Sequence, residues 1–517
     1  MSQHDGEAAA SDDLLDHFHR TARRLPESPA ISDNGRVLSY AQLERLVRET
    51  AAEIGPQPGV VGVRTARSAD TIVRLLGVLD AGGTYCPIDP TFPVSRQQEL
   101  VTASGSARIL PAAPEPSTSG SSVDGPTDPF ADSVHEAVGD PATFGAPDPD
   151  DPAYVLFTSG STGTPKAVLT PRRAITAATR SLAELFDIGP GDRVLQFASL
   201  NWDTCFEEIL PTLTSGATLV FNSEAYSGSF PRFLRMVAAE GVTVLDLPTA
   251  FWHELVHYLV EDEATLPACV RLMIIGGEAA SPARLADWCA RDTAAIRLVN
   301  TYGCTETTLV THAVDLYGPC TPGAGSGWDP TRRVPIGRVL PHVREHISDE
   351  GELLIGGASV ALGYLGLAAE TAARFELLDL GDGPQRYFHT GDRVSRAVDG
   401  TLIHEGRLDS QIKVRGFRVD PGEVEAQISG HPDVAATAVA GVTVANHTTM
   451  TAYVVPRPRA DTEVLGAEVL TYLRTRVPRH LVPNRIIVVP GLVYTSSGKV
   501  DRAGSHRRYG SDHVSRS

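Results

Sequence analysis

The chain has 517 residues, 42% of them hydrophobic and 21% charged, an ordinary globular mixture too long for one core, so two to four folding units are expected. Its formal charge of -18, from 45 Lys and Arg against 63 Asp and Glu, repels a polyphosphate backbone and argues against nucleic acid as a partner. Six scattered cysteines without a CxxC pair, an acidic start (MSQHDGEAAASDDLLDHFHR) and apolar runs far short of the ~20 residues of a membrane span suggest a reduced cytoplasmic protein with no membrane association.

In chain order, residues 12–24 have helical spacing, and so do residues 36–53, which carry Leu38, Leu43 and Val47. Runs at 60–63, 72–79, 193–197, 233–239, 242–247, 270–275 and 297–299 then alternate between β-branched and helical patterns. Such alternation predicts an α/β layer structure with largely buried, mostly parallel sheets. Residues 111–152, rich in Pro, Ser, Gly and Asp, read as a mobile surface excursion. Beyond about residue 350 the units shorten to hairpins such as GELLIGG, DGTLIHEGR and SQIKVRGFRV. The end of the chain predicts helices at 421–429 and 463–476 around strands at 434–442 and 450–455, a compact α+β appendage.

The sharpest local signal is YVLFTSGSTGTPKAV at residues 154–168, an apolar strand running into a loop suited to phosphate. Gly160 and Gly163 permit bends that expose N–H groups, Ser159, Ser161 and Thr162 add hydroxyl donors, and Lys166 adds positive charge. A Walker loop would need Lys followed by Ser or Thr, and Lys166 is followed by Ala167, so P-loop chemistry is excluded on this motif.

With nine further motifs in order, the chain resembles the superfamily of acyl- and aryl-CoA synthetases, luciferases and adenylation domains of nonribosomal peptide synthetases. The motifs are LSYAQL, LDAGGTYCPID, NWDTCFEE, NTYGCTE, GELLIGGASVALGYL, YFHTGDR, GRLDSQIKVRGFRVDPGEVE, VPRHLVP and SSGKVDR. The resemblance implies a large α/β N-terminal domain with a β-rich subdomain, residues 1–408, and a small mobile α+β domain, residues 409–517. It implies ATP and magnesium as cofactors and an acyl-AMP product. Thr158 to Gly163 and Lys166 would hold phosphate. Asn300, Tyr302 and Gly303 would lie around the nucleotide, Tyr302 stacking on adenine, with Thr305 reaching the α-phosphate and Glu306 holding the metal, a hard ion that prefers carboxylate oxygen. Asp392, assisted by Arg407, would accept the ribose hydroxyls. Lys499 would be a mobile catalytic lysine, Asp409 a hinge, and Lys413 to Gly416 the strand that faces the acyl-AMP while a thiol attacks. Lys-Ala-Val for Lys-Gly-Val, Cys304 for a proline and Leu362 for an arginine depart from the family pattern without removing a charge the chemistry needs.

By the same resemblance Asp203 pairs with a substrate ammonium, favouring an amino acid over the fatty or aryl acid of a CoA ligase. Asp203, Thr204, Glu207, Leu245, Ile274, Gly276, Thr301, Leu309, Val310 and Lys499 would surround it. Two of these are acidic. Glu207, unpaired in an apolar pocket, suggests a basic side chain such as ornithine, lysine or β-lysine. Alternatively it turns outward beside Glu208 on a solvated helix start, leaving a small pocket for an aliphatic amino acid. A non-catalytic relic would be expected to lose Lys499, Glu306 or Asp392, and all are present. The chain ends about eighteen residues after Lys499, so the expected acceptor is a stand-alone carrier protein with a phosphopantetheine arm, and the resemblance allows a small MbtH-like activator.

Overall fold

The computed structural model describes residues 13–111, 148–159, 165–321, 328–409, 411–414, 416–444, 447–494 and 500–510. Most of the Pro- and Ser-rich segment, residues 112–147, lies outside these, and strand Pro152–Thr158 begins at the last residue assigned to that excursion. Among the described residues no helix is long and apolar enough to cross a membrane.

Two α/β sheets form the large part of the molecule. The nine-stranded sheet places Val244–Pro248, Leu272–Gly276 and Arg297–Gly303 side by side and parallel, as the apolar runs there predict. The six-stranded sheet carries Val60–Arg64, Thr84–Ile88 and Pro152–Thr158, also parallel, with Lys166–Pro171 turned back antiparallel on the last. Helices Tyr40–Ile54, Ala69–Asp80 and Thr204–Ser215 share one core with both sheets, through Tyr40, Val47, Leu76, Phe206 and Ile209. A five-stranded antiparallel sheet follows, built on Glu352–Gly357, Pro384–Arg396 and Leu402–Arg407. The C-terminal part has its own core, in which Val424 and Ile428 of helix Pro421–Ser429 and Leu465 and Val469 of helix Leu465–Arg474 pack on strands Val434–Val444 and His447–Pro456.

The helix expected over 36–53 is shorter at its start. Arg36–Ser39 is a strand paired antiparallel with Pro29–Asp33, and the helix begins at Tyr40. The reason is a capping box: the Gln42 N–H donates to Ser39 Oγ (3.3 Å) and the Ser39 N–H donates to Gln42 Oε1 (2.9 Å). Ser39→Ala is expected to destabilise the N-terminal unit by about 1 kcal/mol, read as a lower urea midpoint in its unfolding transition.

Candidate active site

Strands Val244–Pro248, Leu272–Gly276 and Arg297–Gly303 all end at one cleft, the usual position for a site on an open parallel sheet. Asp246 and Pro248, Gly276 and Gly277, and Thr301 through Thr305 except buried Tyr302 form its floor. Thr158 at the end of its strand, the segment leading into helix Thr204–Ser215, and Leu309 and Val310 add walls. Lys413, Gly416, Phe417 and Arg418 close it from the C-terminal part. Two glycines are required sterically, since a Cβ at Gly303 would collide with the Leu309 carbonyl and one at Gly276 with the Thr301 hydroxyl.

The substrate side is acidic. Asp203 caps helix Thr204–Ser215, accepting from the Thr204 N–H (3.0 Å), and Glu207 sits one turn on, on the same face. Both line the cleft, together with Thr204. A third acid, Asp246, joins them. Leu245, the neighbour expected here, is fully buried in the core with Trp252 and Val256, because successive side chains of a strand point to opposite faces. Ile274, paired in register with Asp246, is likewise a buried core residue and does not reach the cleft wall. Asp246 is 5% exposed, and its Oδ2 has no hydrogen-bond partner among the described residues. Burial pushes the Asp246 carboxyl up to about 7. Burial also raises Asp203, to about 6, with Glu306 adding to the rise and the Thr305 hydroxyl opposing it. Glu207 is raised well above its ordinary value by burial and then by Asp246 and Asp203.

Glu208 is no part of a solvated helix start. It is 1% exposed and accepts from the N–H groups of Phe197 and Ala198 (both 2.9 Å) and from Gln196 Nε2 (3.0 Å), anchoring the segment that leads to Asp203. Glu207 is thereby left facing the cleft rather than solvent.

The opposite end of the cleft is a network around Asp392. Tyr302 Oη donates to Asp392 Oδ2 (2.6 Å), Arg407 Nη1 donates to Oδ1 (2.8 Å), and His404 Nε2 lies 3.1 Å from Oδ1. Burial opposes ionisation of Asp392, yet His404, Lys413 and Arg407 hold it well below the ordinary carboxylate range. Lys413 Nζ stands 5.5 Å from the centre of the Tyr302 ring. Asn300, two residues before Tyr302, is buried outside the cleft and donates from Nδ2 to the Pro335 carbonyl (2.7 Å). Arg407 also grips Asp409 through Nε and Nη2, each at 2.6 Å.

Thr305 lines the cleft, and Glu306 beside it is 1% exposed. Tyr364 Oη donates to Glu306 Oε1 and Arg418 Nη1 to Oε2, both at 3.0 Å. Burial would raise Glu306, but Arg418, its own backbone N–H, Arg374 and the Tyr364 hydroxyl together outweigh it and the carboxylate stays below its ordinary range. Ser159 donates from Oγ to the Arg418 carbonyl and accepts from the Asp420 N–H, each at 2.9 Å. Lys166 Nζ lies 5.1 Å from the Tyr364 ring centre. Gly160, Ser161, Thr162, Gly163 and Lys499 lie outside the described residues. Sequence reasoning missed Asp246 and Arg418. The first had a visible signal, a lone acid inside the apolar run VTVLDLP; the second is hidden among the charges of its motif.

A family model for AMP-binding enzymes matches residues 18–365, and one for the AMP-binding enzyme C-terminal domain matches residues 423–499. The chain is 39% identical over 482 residues to isonitrile lipopeptide synthase of Streptomyces coeruleorubidus, covering 92% of this chain and 32% of that protein, so it spans about a third of that relative. It is 32% identical to novobiocin biosynthesis protein H of Streptomyces niveus, over 95% of this chain and 82% of that one. Among solved structures it is similar to PA1221, a nonribosomal peptide synthetase protein containing adenylation and PCP domains, with TM-score 0.78 and 25% identity over 96% of this chain and 84% of that one. The chain therefore belongs to the AMP-binding enzyme family and is an adenylating ligase of the nonribosomal peptide synthetase and acyl-CoA synthetase superfamily.

Proposed function

We propose that the enzyme activates a basic amino acid, such as ornithine, lysine or β-lysine, as its acyl-AMP and passes the acyl group to the phosphopantetheine thiol of a carrier protein, the new C–S bond replacing the acyl–oxygen bond as AMP leaves. The observation that carries this reading is the trio Asp203, Glu207 and Asp246 on one cleft, with Asp246 Oδ2 left without a hydrogen-bond partner among the described residues. Three acids clustered on one cleft, Asp246 buried and Asp203 and Glu207 partly buried, are costly until a ligand brings positive charge. A basic amino acid brings two cations: the α-ammonium for Asp203 and the side-chain ammonium for Glu207 and Asp246. A fatty or aryl acid brings none.

In the first half-reaction the substrate carboxylate attacks the α-phosphorus of ATP. An acyl–oxygen–phosphorus bond forms, the bond to the bridging oxygen breaks, and pyrophosphate leaves. Thr305 is suited to donate to the α-phosphate, and Lys499 is assigned the neutralisation of charge between carboxylate and phosphate. Asp392, kept ionised, is suited to accept ribose hydroxyls. Glu306, a hard anionic donor kept ionised in a buried position, fits a magnesium ion, which when bound would neutralise the leaving pyrophosphate. For the second half-reaction we assign a boundary between residues 408 and 409 with Asp409 as hinge, and read Lys413 and Gly416 on the cleft wall as the thiol-transfer arrangement. A carrier acceptor is supported by the similar solved protein that contains a PCP domain.

Pyrophosphate exchange across basic, aliphatic, aromatic, fatty and aryl acids tests the substrate class. Strong exchange is expected with a basic amino acid. Glu207→Gln and Asp246→Asn should each lower its kcat/KM by about a hundredfold, the order for losing one side of a desolvated charge pair. Exchange confined to fatty or aryl acids would move the enzyme to the CoA-ligase branch.

The raised carboxyls also set a pH dependence. Burial pushes Asp246 and Asp203 up to about 7 and about 6, and a cationic substrate favours their ionised forms. Binding therefore releases protons, and KM for the basic substrate should fall as pH rises from 6 to 8, by up to about tenfold per unit for each proton released. Asp246→Asn should flatten the profile. A KM independent of pH in the unmodified enzyme would contradict the cationic pocket.

A further inference from the structure

Two acids of the five-stranded sheet are gripped by a pair of neighbouring rings on the nine-stranded one. Tyr302 and His312 are cross-strand partners on Arg297–Gly303 and Val310–Tyr317, and their rings meet edge to face, 5.8 Å between centres and inclined at 75°. Tyr302 holds Asp392 through its hydroxyl (2.6 Å), and His312 Nε2 meets Glu345 Oε2 at 2.8 Å. Asp392 lies on strand Pro384–Arg396, and Glu345 lies on Val343–Ile347 of the same sheet. Thr311 Oγ1 gives its proton to the Tyr302 carbonyl (3.2 Å), so His312 Nδ1 donates to that oxygen (3.0 Å) while Nε2 donates to the carboxylate. Arg396 Nη2 takes the other Glu345 oxygen at 2.7 Å. His312 and Thr311 are fully buried and Glu345 is partly buried, its carboxyl held below the ordinary range by the hydrogen bond from His312 and then by Arg396, against burial.

Each carboxylate oxygen accepts about two hydrogen bonds. Arg407 and His404 fill Oδ1 of Asp392, and Tyr302 takes one place on Oδ2, so the direction of the Tyr302 hydroxyl decides where the remaining place points. That hydroxyl moves with its ring. The His312 ring against it, and Thr311 on the Tyr302 carbonyl, fix the residue at both ends. We propose that His312, clamped by Thr311 and Glu345, is a positioning residue for nucleotide recognition: it fixes Tyr302, and through Tyr302 the open Asp392 oxygen that reads a ribose hydroxyl. The proposal rests on the assignment of Asp392 to the ribose. Fully buried and away from the cleft lining, His312 acts only through Tyr302. An apolar ring at 312 would fill similar space, but it would take this donor from Glu345 Oε2 and remove the tie beside the Tyr302–Asp392 bond.

The readout is nucleotide binding rather than turnover. The full chain, with magnesium and without amino acid, is titrated by calorimetry with ATP, 2′-deoxy-ATP and 3′-deoxy-ATP. Wild type should bind ATP about tenfold or more tighter than the weaker deoxy analogue, the order for losing a hydrogen bond to a charged acceptor. His312→Gln, which keeps a side-chain amide and loses the ring, should lower that ratio by about threefold or more, chiefly by weakening ATP, and leave the Kd of the weaker analogue within about twofold, the scale of coupling between residues of one network. A merely structural role would weaken ATP and both analogues by one common factor. Glu345→Gln is the second variant should His312→Gln fail to fold. It leaves an acceptor for Nε2 and removes the charge, and should shift the ratio in the same direction by a smaller factor. An ATP-to-analogue ratio unchanged from wild type in His312→Gln, or in Glu345→Gln where that is the variant that folds, overturns the proposal and leaves the ribose reading standing. Wild type that binds ATP and both analogues equally removes that reading and the proposal with it.

Discussion

Every carboxylate in this cleft needs a counter-charge or a full set of donors, and the way each obtains one organises the molecule. Glu208 is satisfied by backbone N–H groups and becomes scaffold. Asp392 is held ionised by Arg407, His404 and Lys413. Glu306 is held ionised by Arg418. Asp203, Glu207 and Asp246 have no ion pair among the described residues, and burial raises the proton affinity of all three. The same burial that makes a carboxylate structural when donors surround it makes it selective when they do not.

The parallel sheet is what allows such a concentration of acids. Its strands are apolar over most of their length and packed on both faces, so the interior tolerates no charge there. At the strand ends the backbone opens into turns, and Asp246, Gly276 and Thr301 reach one cleft because Val244–Pro248, Leu272–Gly276 and Arg297–Gly303 run parallel and end together, Pro248 pairing with Gly276. Helix Thr204–Ser215 contributes Asp203 and Glu207 from its first turn, fixed by the grip of Glu208 on the preceding segment.

The C-terminal part closes this cleft and is tied to it by polar contacts: the Arg418–Glu306 pair, the Ser159 hydroxyl, and a buried pair between Arg96 and Glu423 at 2.9 Å. Contacts of this kind can be exchanged for a ligand's charges at little net change in free energy, whereas an apolar seam of the same area cannot. Aromatic packing joins Trp202, Phe417, His480 and Phe92, where burial and the nearby Arg96 push the imidazole down to about 3 and keep it neutral against the Phe417 ring.

Much of this was legible in the sequence. Alternating apolar runs revealed the α/β layers, since hydrophobic periodicity is a local property of the chain. Ordered motifs revealed the adenylating family and pointed to Asp203, Glu207, Thr305, Glu306, Asp392 and Arg407. The start of the second helix was misread because Leu38 fits a helical spacing as well as a strand, and the Ser39 capping box decides between them. At the substrate wall the sequence pointed to Leu245, and the tertiary structure put Asp246 there, because a shift of one residue along a strand exchanges core for cleft and only packing against the sheet's neighbours decides which face is which. The pairing of Arg418 with Glu306 was likewise beyond the sequence: the two are 112 residues apart in the chain, and no local pattern states which cation will meet a buried anion across a domain interface.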